Sequence, residues 1–188
     1  MMPSAKALRS QYSWLNDRSF SFAMVERRQA ADCLAAILPS PAFGPEAIER
    51  VRSWARDAPG LRSVVDASAV QDWTIVCDSM PVLLSMSSVL QRLSQNTRVV
   101  VLLNTHDVTE FAYWIDGSLR RRTDPTLVKD LVAPAFLGEP LPEEGGLPFE
   151  KSPGLGFACT CVVLERLTNI QIRPDLLYQG GTAVGWEM

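Results

Sequence analysis

Between Arg98 and Thr123 the chain has little conformational choice. Arg98-Val99-Val100-Val101-Leu102-Leu103 is apolar at every position after the first, which predicts a strand covered on both faces. Val108–Ile115 follows the polar turn Asn104–Asp107, and Asp116-Gly117 then supplies the pair that tolerates positive φ at both centres of a type I′ turn. A hairpin closed there pairs Ile115 with Ser118 and Trp114 with Leu119. Continued without interruption, the register sets Tyr113 opposite Arg120 and Ala112 opposite Arg121, with Glu110 diagonal to Arg121. Arg120 then lies over an aromatic ring and Arg121 near a carboxylate, so Arg120-Arg121-Arg122 reads as locally paired rather than as an anion site.

Elements on either side extend this antiparallel frame. Ser19–Val25 alternates and then turns apolar, as a half-buried first strand does, and Arg27–Leu38 carries apolar residues at helical spacing up to Pro39. Pro45 is placed to open a second helix with Ile48, Val51, Trp54 and Ala55 on one stripe. Leu61–Ala67 and Trp73–Asp78 read as two strands of a hairpin. Ser79 is an N-cap candidate for a helix bearing Leu83, Met86, Leu90 and Leu93 and ending near Asn96. After Asp124-Pro125 a short stripe of Leu127, Val128, Leu131 and Val132 suggests a further helix. Residues 138–156 form a Pro/Gly-rich acidic loop, Phe157–Leu167 a helix buried on most sides, Arg173–Leu177 a short helical turn, and 179–188 a flexible tail. The expected fold is a single α+β domain over residues 1–188, with a central, mainly antiparallel sheet of about five to six strands and helices packed on it.

Composition excludes several classes of function. With 188 residues, 47% hydrophobic and 21% charged, the chain can bury a sizeable core. A net charge of −3 and only three lysines argue against nucleic acid, whose binding draws on clustered basic residues. The acidity is concentrated late, residues 125–188 carrying four basic and eight acidic side chains. No 18-residue apolar run and no signal-peptide pattern is present, so a cytoplasmic protein without a membrane span is expected.

Motifs for chemistry are sparse. Cys33, Cys77, Cys159 and Cys161 lack zinc-site spacing and read as buried thiols. His106 is the sole histidine, so two-histidine metal motifs are excluded and at most one imidazole base remains. No phosphate-cradling GxxxxGK loop, no GxGxxG after a strand and no GxSxG elbow occurs; Gly154-Leu155-Gly156 follows a loop and serves a tight turn. Asp66, Asp72, Asp78 and Asp107 fall near strand ends, where carboxylates can gather round magnesium or act as an acid–base pair, but aspartate is also the ordinary turn residue. Neither a metal nor a cofactor is expected.

Several short motifs carry a resemblance. Asp72-Trp73-Thr74-Ile75-Val76, Leu93-Ser94 before a strand, and the run from Asn104 and Asp107 through Val108-Thr109-Glu110-Phe111 to Tyr113-Trp114 and Asp116-Gly117 resemble an uncharacterised domain family common in high-GC Gram-positive bacteria. Tyr12-Ser13-Trp14-Leu15 and Leu164–Ile170 resemble its two ends. Val76-Cys77-Asp78 departs from it, standing where the family tends to show a Val-Glu. The resemblance implies no activity or catalytic residue. It implies a small standalone protein of a kind that often accompanies conflict and defence genes.

The expectation is therefore a non-enzymatic protein-interaction module, most concretely an immunity protein that binds and neutralises a toxin with a basic surface. Glu139, Glu143, Glu144, Glu150 and Trp186 are its candidate contacts, acidic residues steering a partner and an aromatic anchoring it. The alternative is a small-molecule binder or enzyme with a pocket around the 104–122 hairpin, formed by His106, Asp107, Glu110 and Arg121.

Overall fold

The apolar run at 98–104 is the middle of a large sheet in the computed structural model, which describes residues 5–15, 20–57, 62–105, 109–123, 136–147, 153–177 and 181–187. Nine strands are present among these: β1 (Phe20–Glu26), β2 (Phe43–Ala47), β3 (Arg62–Val70), β4 (Trp73–Asp78), β5 (Arg98–Asn104), β6 (Thr109–Ile115), β7 (Ser118–Thr123), β8 (Phe136–Leu137) and β9 (Thr182–Glu187). They lie in the order β2-β9-β3-β4-β1-β5-β6-β7-β8, every neighbouring pair antiparallel. The fold is α+β with an antiparallel sheet, as expected, but larger than five to six strands because β2, β8 and β9 are too short or irregular to show a period of their own.

Helices cover both faces. On one, α1 (Ala5–Gln11) and α5 (Pro153–Thr168) pack with Phe22, Met24, Ile75, Val100, Leu102, Phe111 and Tyr113. On the other, α2 (Ala30–Ile37) and α4 (Ser87–Leu93) pack with Ala23, Val25, Val65, Val76, Val99, Val101 and Trp114. Odd and even positions of β1 and β5 thus feed different cores, which is why the Arg98–Leu103 run shows no polar alternation. A third cluster joins α3 (Ile48–Asp57) to Val64 and Ala183, on the face that α5 also covers. The short α6 (Pro174–Leu177) adds Leu176 to the α5 side.

Four expectations need correction. Pro45 does not open a helix: Gly44–Pro45 lies inside β2, and α3 starts at Ile48. The helix expected from Ser79 starts at Ser87, because residues 80–84 wrap round the Asp78 carboxylate, whose oxygens accept the backbone N–H groups of Met80, Val82, Leu83 and Leu84 at 2.8–3.5 Å. The helix expected from Phe157 begins at Pro153. The expected flexible tail is β9, inserted between β2 and β3 with Ala183 and Val184 fully buried. Its pairing partners lie more than a hundred residues earlier, so nothing local announces it. The stripe Leu127–Val132 lies outside the described residues.

Candidate functional site

The β6–β7 hairpin starts in the expected register, Ile115 opposite Ser118 and Trp114 opposite Leu119, and then slips. Arg120 is a bulge, so Tyr113 faces Arg121 and Ala112 faces Arg122. The extra residue turns Arg121 onto the α5 face, where it is 4% exposed and holds Glu144 by two hydrogen bonds of 2.7 Å. Its third donor reaches the Gly138 carbonyl at 2.6 Å. Glu144 also accepts the Leu141 N–H at 3.2 Å, folding back over the 3-10 turn Pro142–Glu144. Arg122, not Arg121, pairs with Glu110.

These contacts redistribute the candidate residues. Glu144 is buried in an ion pair and leaves the acidic surface. Glu139 is exposed and Glu143 half-buried, its carbonyl accepting from Arg166 on α5. Trp186 is half-buried against the α2 and α4 core, with no acceptor for its indole N–H among the described residues. β9 and β8 are seven strand positions apart in the sheet, about 34 Å at ordinary strand spacing, so Trp186 and the acidic turn do not form one surface. Glu150, His106 and Asp107 lie outside the described residues. Of the alternative pocket, Glu110 and Arg121 are each committed to a different partner.

A different site emerges at the other half of the sheet. Register places Phe22, Cys77, Asp66 and Ala183 in one row across β1, β4, β3 and β9, on the face shared by α3 and α5. Phe22 and Cys77 belong to the α5 side of that row and Ala183 to the α3 side, and over the row a cleft opens that α3 lines with Arg52 and α6 with Leu177. It is lined by Phe20, Ser21, Phe22, Arg52, Asp66, Cys77, Asp78, Ser79 and Leu177, and its volume is about 160 Å³. Asp66 projects from the middle of a strand whose neighbours are buried, and it is 9% exposed.

The groups round the cleft differ in how well they are satisfied. Asp78 is saturated by the loop it organises; burial raises its carboxyl to about 6 against the lowering effect of those backbone donors. Asp66 has no hydrogen-bond donor among the described residues. Burial raises it to about 6, and the nearby positive charge of Arg52 only partly offsets that. Arg52 itself is half-exposed and bonds Glu49 at 3.2 Å. Cys77 donates a long contact of 3.8 Å to the Leu177 carbonyl; burial, and then the Asp66 charge, push its thiol far up, so it is held neutral and is a poor nucleophile. Phe20 and Phe22 stack at 5.9 Å on the remaining wall.

By sequence, a strand ending at Ala67 makes Asp66 a strand-end or turn residue, but β3 runs on to Val70. The missed signal is an aspartate flanked by valine and alanine within a strand covered on both faces, where a carboxylate is largely withdrawn from bulk water. Among the described residues no three His, Cys, Asp or Glu side chains are grouped to hold a metal ion, and no helix is long and apolar enough to cross a membrane.

No curated protein and no solved structure matches this chain. One family model does, over residues 5–133, a span that includes Tyr12–Leu15 and the hairpin but stops short of the Leu164–Ile170 motif. That span is more than half of the sequence, and the chain belongs to DUF6461, a family of unknown function.

Proposed function

We propose that this chain is a non-enzymatic protein-interaction module, and that its most concrete form is an immunity protein that binds a toxin and blocks it. The observation that carries the reading is the size and chemistry of the Asp66 cleft. At about 160 Å³ it is smaller than the roughly 300–1,000 Å³ of sites that enclose a whole ligand. It suits one inserted side chain, which is how anchor residues of protein interfaces are received. The cleft's sulfur is a neutral thiol, and its one unsatisfied carboxylate has no base or nucleophile beside it.

A basic partner is the complement of such a surface. A toxin acting on a phosphate-bearing substrate carries exposed lysine and arginine for that purpose, and a carboxylate pocket can occupy one of them. Glu139 and Glu143, at the far edge, add long-range steering without direct contact at the cleft. The hairpin pocket has less in its favour, because Glu110 and Arg121 are engaged with Arg122 and Glu144.

The test is reconstitution. Proteins retained by the tagged full chain are purified, mixed with it and run on size-exclusion chromatography, and each is expressed alone and together with it. A stoichiometric complex whose partner is toxic alone and harmless in co-expression supports immunity. A chain that elutes empty against every retained protein overturns the module reading.

A further inference from the structure

We propose that the Asp66 cleft is a pocket for a single ammonium or guanidinium group, presented by a lysine or arginine side chain of the partner. The inference rests on the interaction-module reading and names what the site takes.

The first argument is the unmet demand of the carboxylate. Buried carboxylates are paired or hydrogen-bonded as a rule, since an ion removed from water loses several kcal/mol of hydration. Asp78, one strand position away, obeys the rule through four backbone donors. Asp66 has none among the described residues and faces an open volume instead. The volume is where its donors belong.

The second argument is the sign of the missing partner. Arg52 is the cation lining the cleft, and its guanidinium is already bonded to Glu49. Asp66 and Asp78 against Arg52 leave the lining acidic, and Glu49 makes the surroundings more so. An anion would meet the buried carboxylate directly. A metal ion would find one carboxylate free to coordinate, that of Asp78 being taken up by its backbone donors, and a thiol that burial keeps protonated, which is too few ligands.

The third argument is the wall. Phe20, half-buried, lines the cleft and is backed by the fully buried Phe22 ring 5.9 Å away, and aromatic rings attract ammonium and guanidinium groups within about 6 Å. Leu177 and the stems of the aromatic rings offer apolar contact to the methylenes of a lysine or arginine, which snorkel along such surface behind the charged head.

The experiment uses the full chain with butylammonium and propylguanidinium as probes and inorganic phosphate as the control, followed by NMR shifts and calorimetry. A saturable response to the cations, centred on Phe20, Asp66 and Cys77, is expected. Asp66→Asn should weaken it by about tenfold or more, and Arg52→Gln, which removes the competing positive charge, should tighten it by about threefold. Phosphate binding in place of the cations, or Asp66→Asn without effect, overturns the proposal. If Asp66→Asn fails to fold, Arg52→Gln decides alone, and an unchanged or weaker affinity overturns it. The partner arm separates the two readings. A reconstituted complex that Asp66→Asn does not weaken shows that the partner's side chain is not the occupant, leaving the module reading standing. Cation binding without any protein complex overturns the module reading and assigns the pocket to a free small amine.

Discussion

Arg121 and Glu144 meet through two hydrogen bonds of 2.7 Å each, with the arginine 4% and the glutamate 9% exposed. The pair clamps the 3-10 turn and the Gly138 carbonyl to β7, and Arg166 ties the same turn to α5 through the Glu143 and Gly145 carbonyls at 2.6 and 3.1 Å. Removing one member of a buried pair leaves the other uncompensated. Glu144→Ala should therefore destabilise the protein by about 3–5 kcal/mol, whereas Glu139→Lys, on an exposed residue, should change it by less than about 0.5 kcal/mol. Urea denaturation of both variants gives the comparison, and equal effects would remove the clamp from the account of stability.

The two raised aspartates set a pH dependence whose sign follows from linkage. An unfolded aspartate titrates near 3.9, whereas Asp66 in the folded protein titrates at about 6. Below pH 4 both states hold the proton and the group is neutral to stability. Between pH 4 and 6 the unfolded chain releases it while the native chain keeps it, so stability falls as pH rises. Above 6 the loss is complete, at about 3 kcal/mol. Asp78 adds a fall of the same sign in the same window. Asp66→Asn should remove only its own share, so the variant gains on the wild type as pH goes from 4 to 7. Parallel unfolding titrations at several pH values measure that difference, and a constant offset between the two proteins would contradict the assignment.

These two sites show what a sequence of this kind reveals. The turn at Asp116-Gly117, the β3–β4 pairing and the β5 run were readable because their signals are local: a dipeptide, a short hairpin, an unbroken apolar stretch. The Arg120 bulge was not, since one added residue leaves no mark in the pattern yet exchanges the partners of Arg121 and Arg122. β9 carries two glycines before it and an alternation too short to register, and its identity depends on β2 and β3. The Asp66 cleft depends on the register of four strands at once, three of them distant in sequence from the fourth.

Gly185 offers a sharp test of the β9 assignment. A methyl group at this position would overlap the six-membered ring of Trp54. That ring has little freedom to retreat, being stacked on Phe43 at 5.4 Å with the Arg62 guanidinium 4.3 Å from its centroid. Gly185→Ala should cost about 1–3 kcal/mol by overpacking. In a Trp54→Leu background the same substitution should cost clearly less, and the double-mutant cycle reports the difference as a coupling energy. Additive effects would mean that 185 does not lie under Trp54, and that β9 is not where the sheet has it.

The family match ends at residue 133, but the sheet does not end with it. β9 separates β2 from β3, so without it β2 has no neighbour and β3 becomes an edge. α5 supplies Phe157, Ala158, Cys161 and Leu164 to the core that covers Phe22, Met24, Val100, Leu102, Phe111 and Tyr113. A chain ending at residue 133 would expose that face of the central strands, a patch far beyond what a monomer in water tolerates. It should therefore lose cooperative unfolding, bind a hydrophobic dye and associate, while the full chain does none of these. Circular dichroism, dye fluorescence and light scattering on the two lengths compare them directly. A shortened chain with a sharp, reversible transition would show that residues 5–133 carry their own core, and that the C-terminal elements dock on a finished domain instead of completing it.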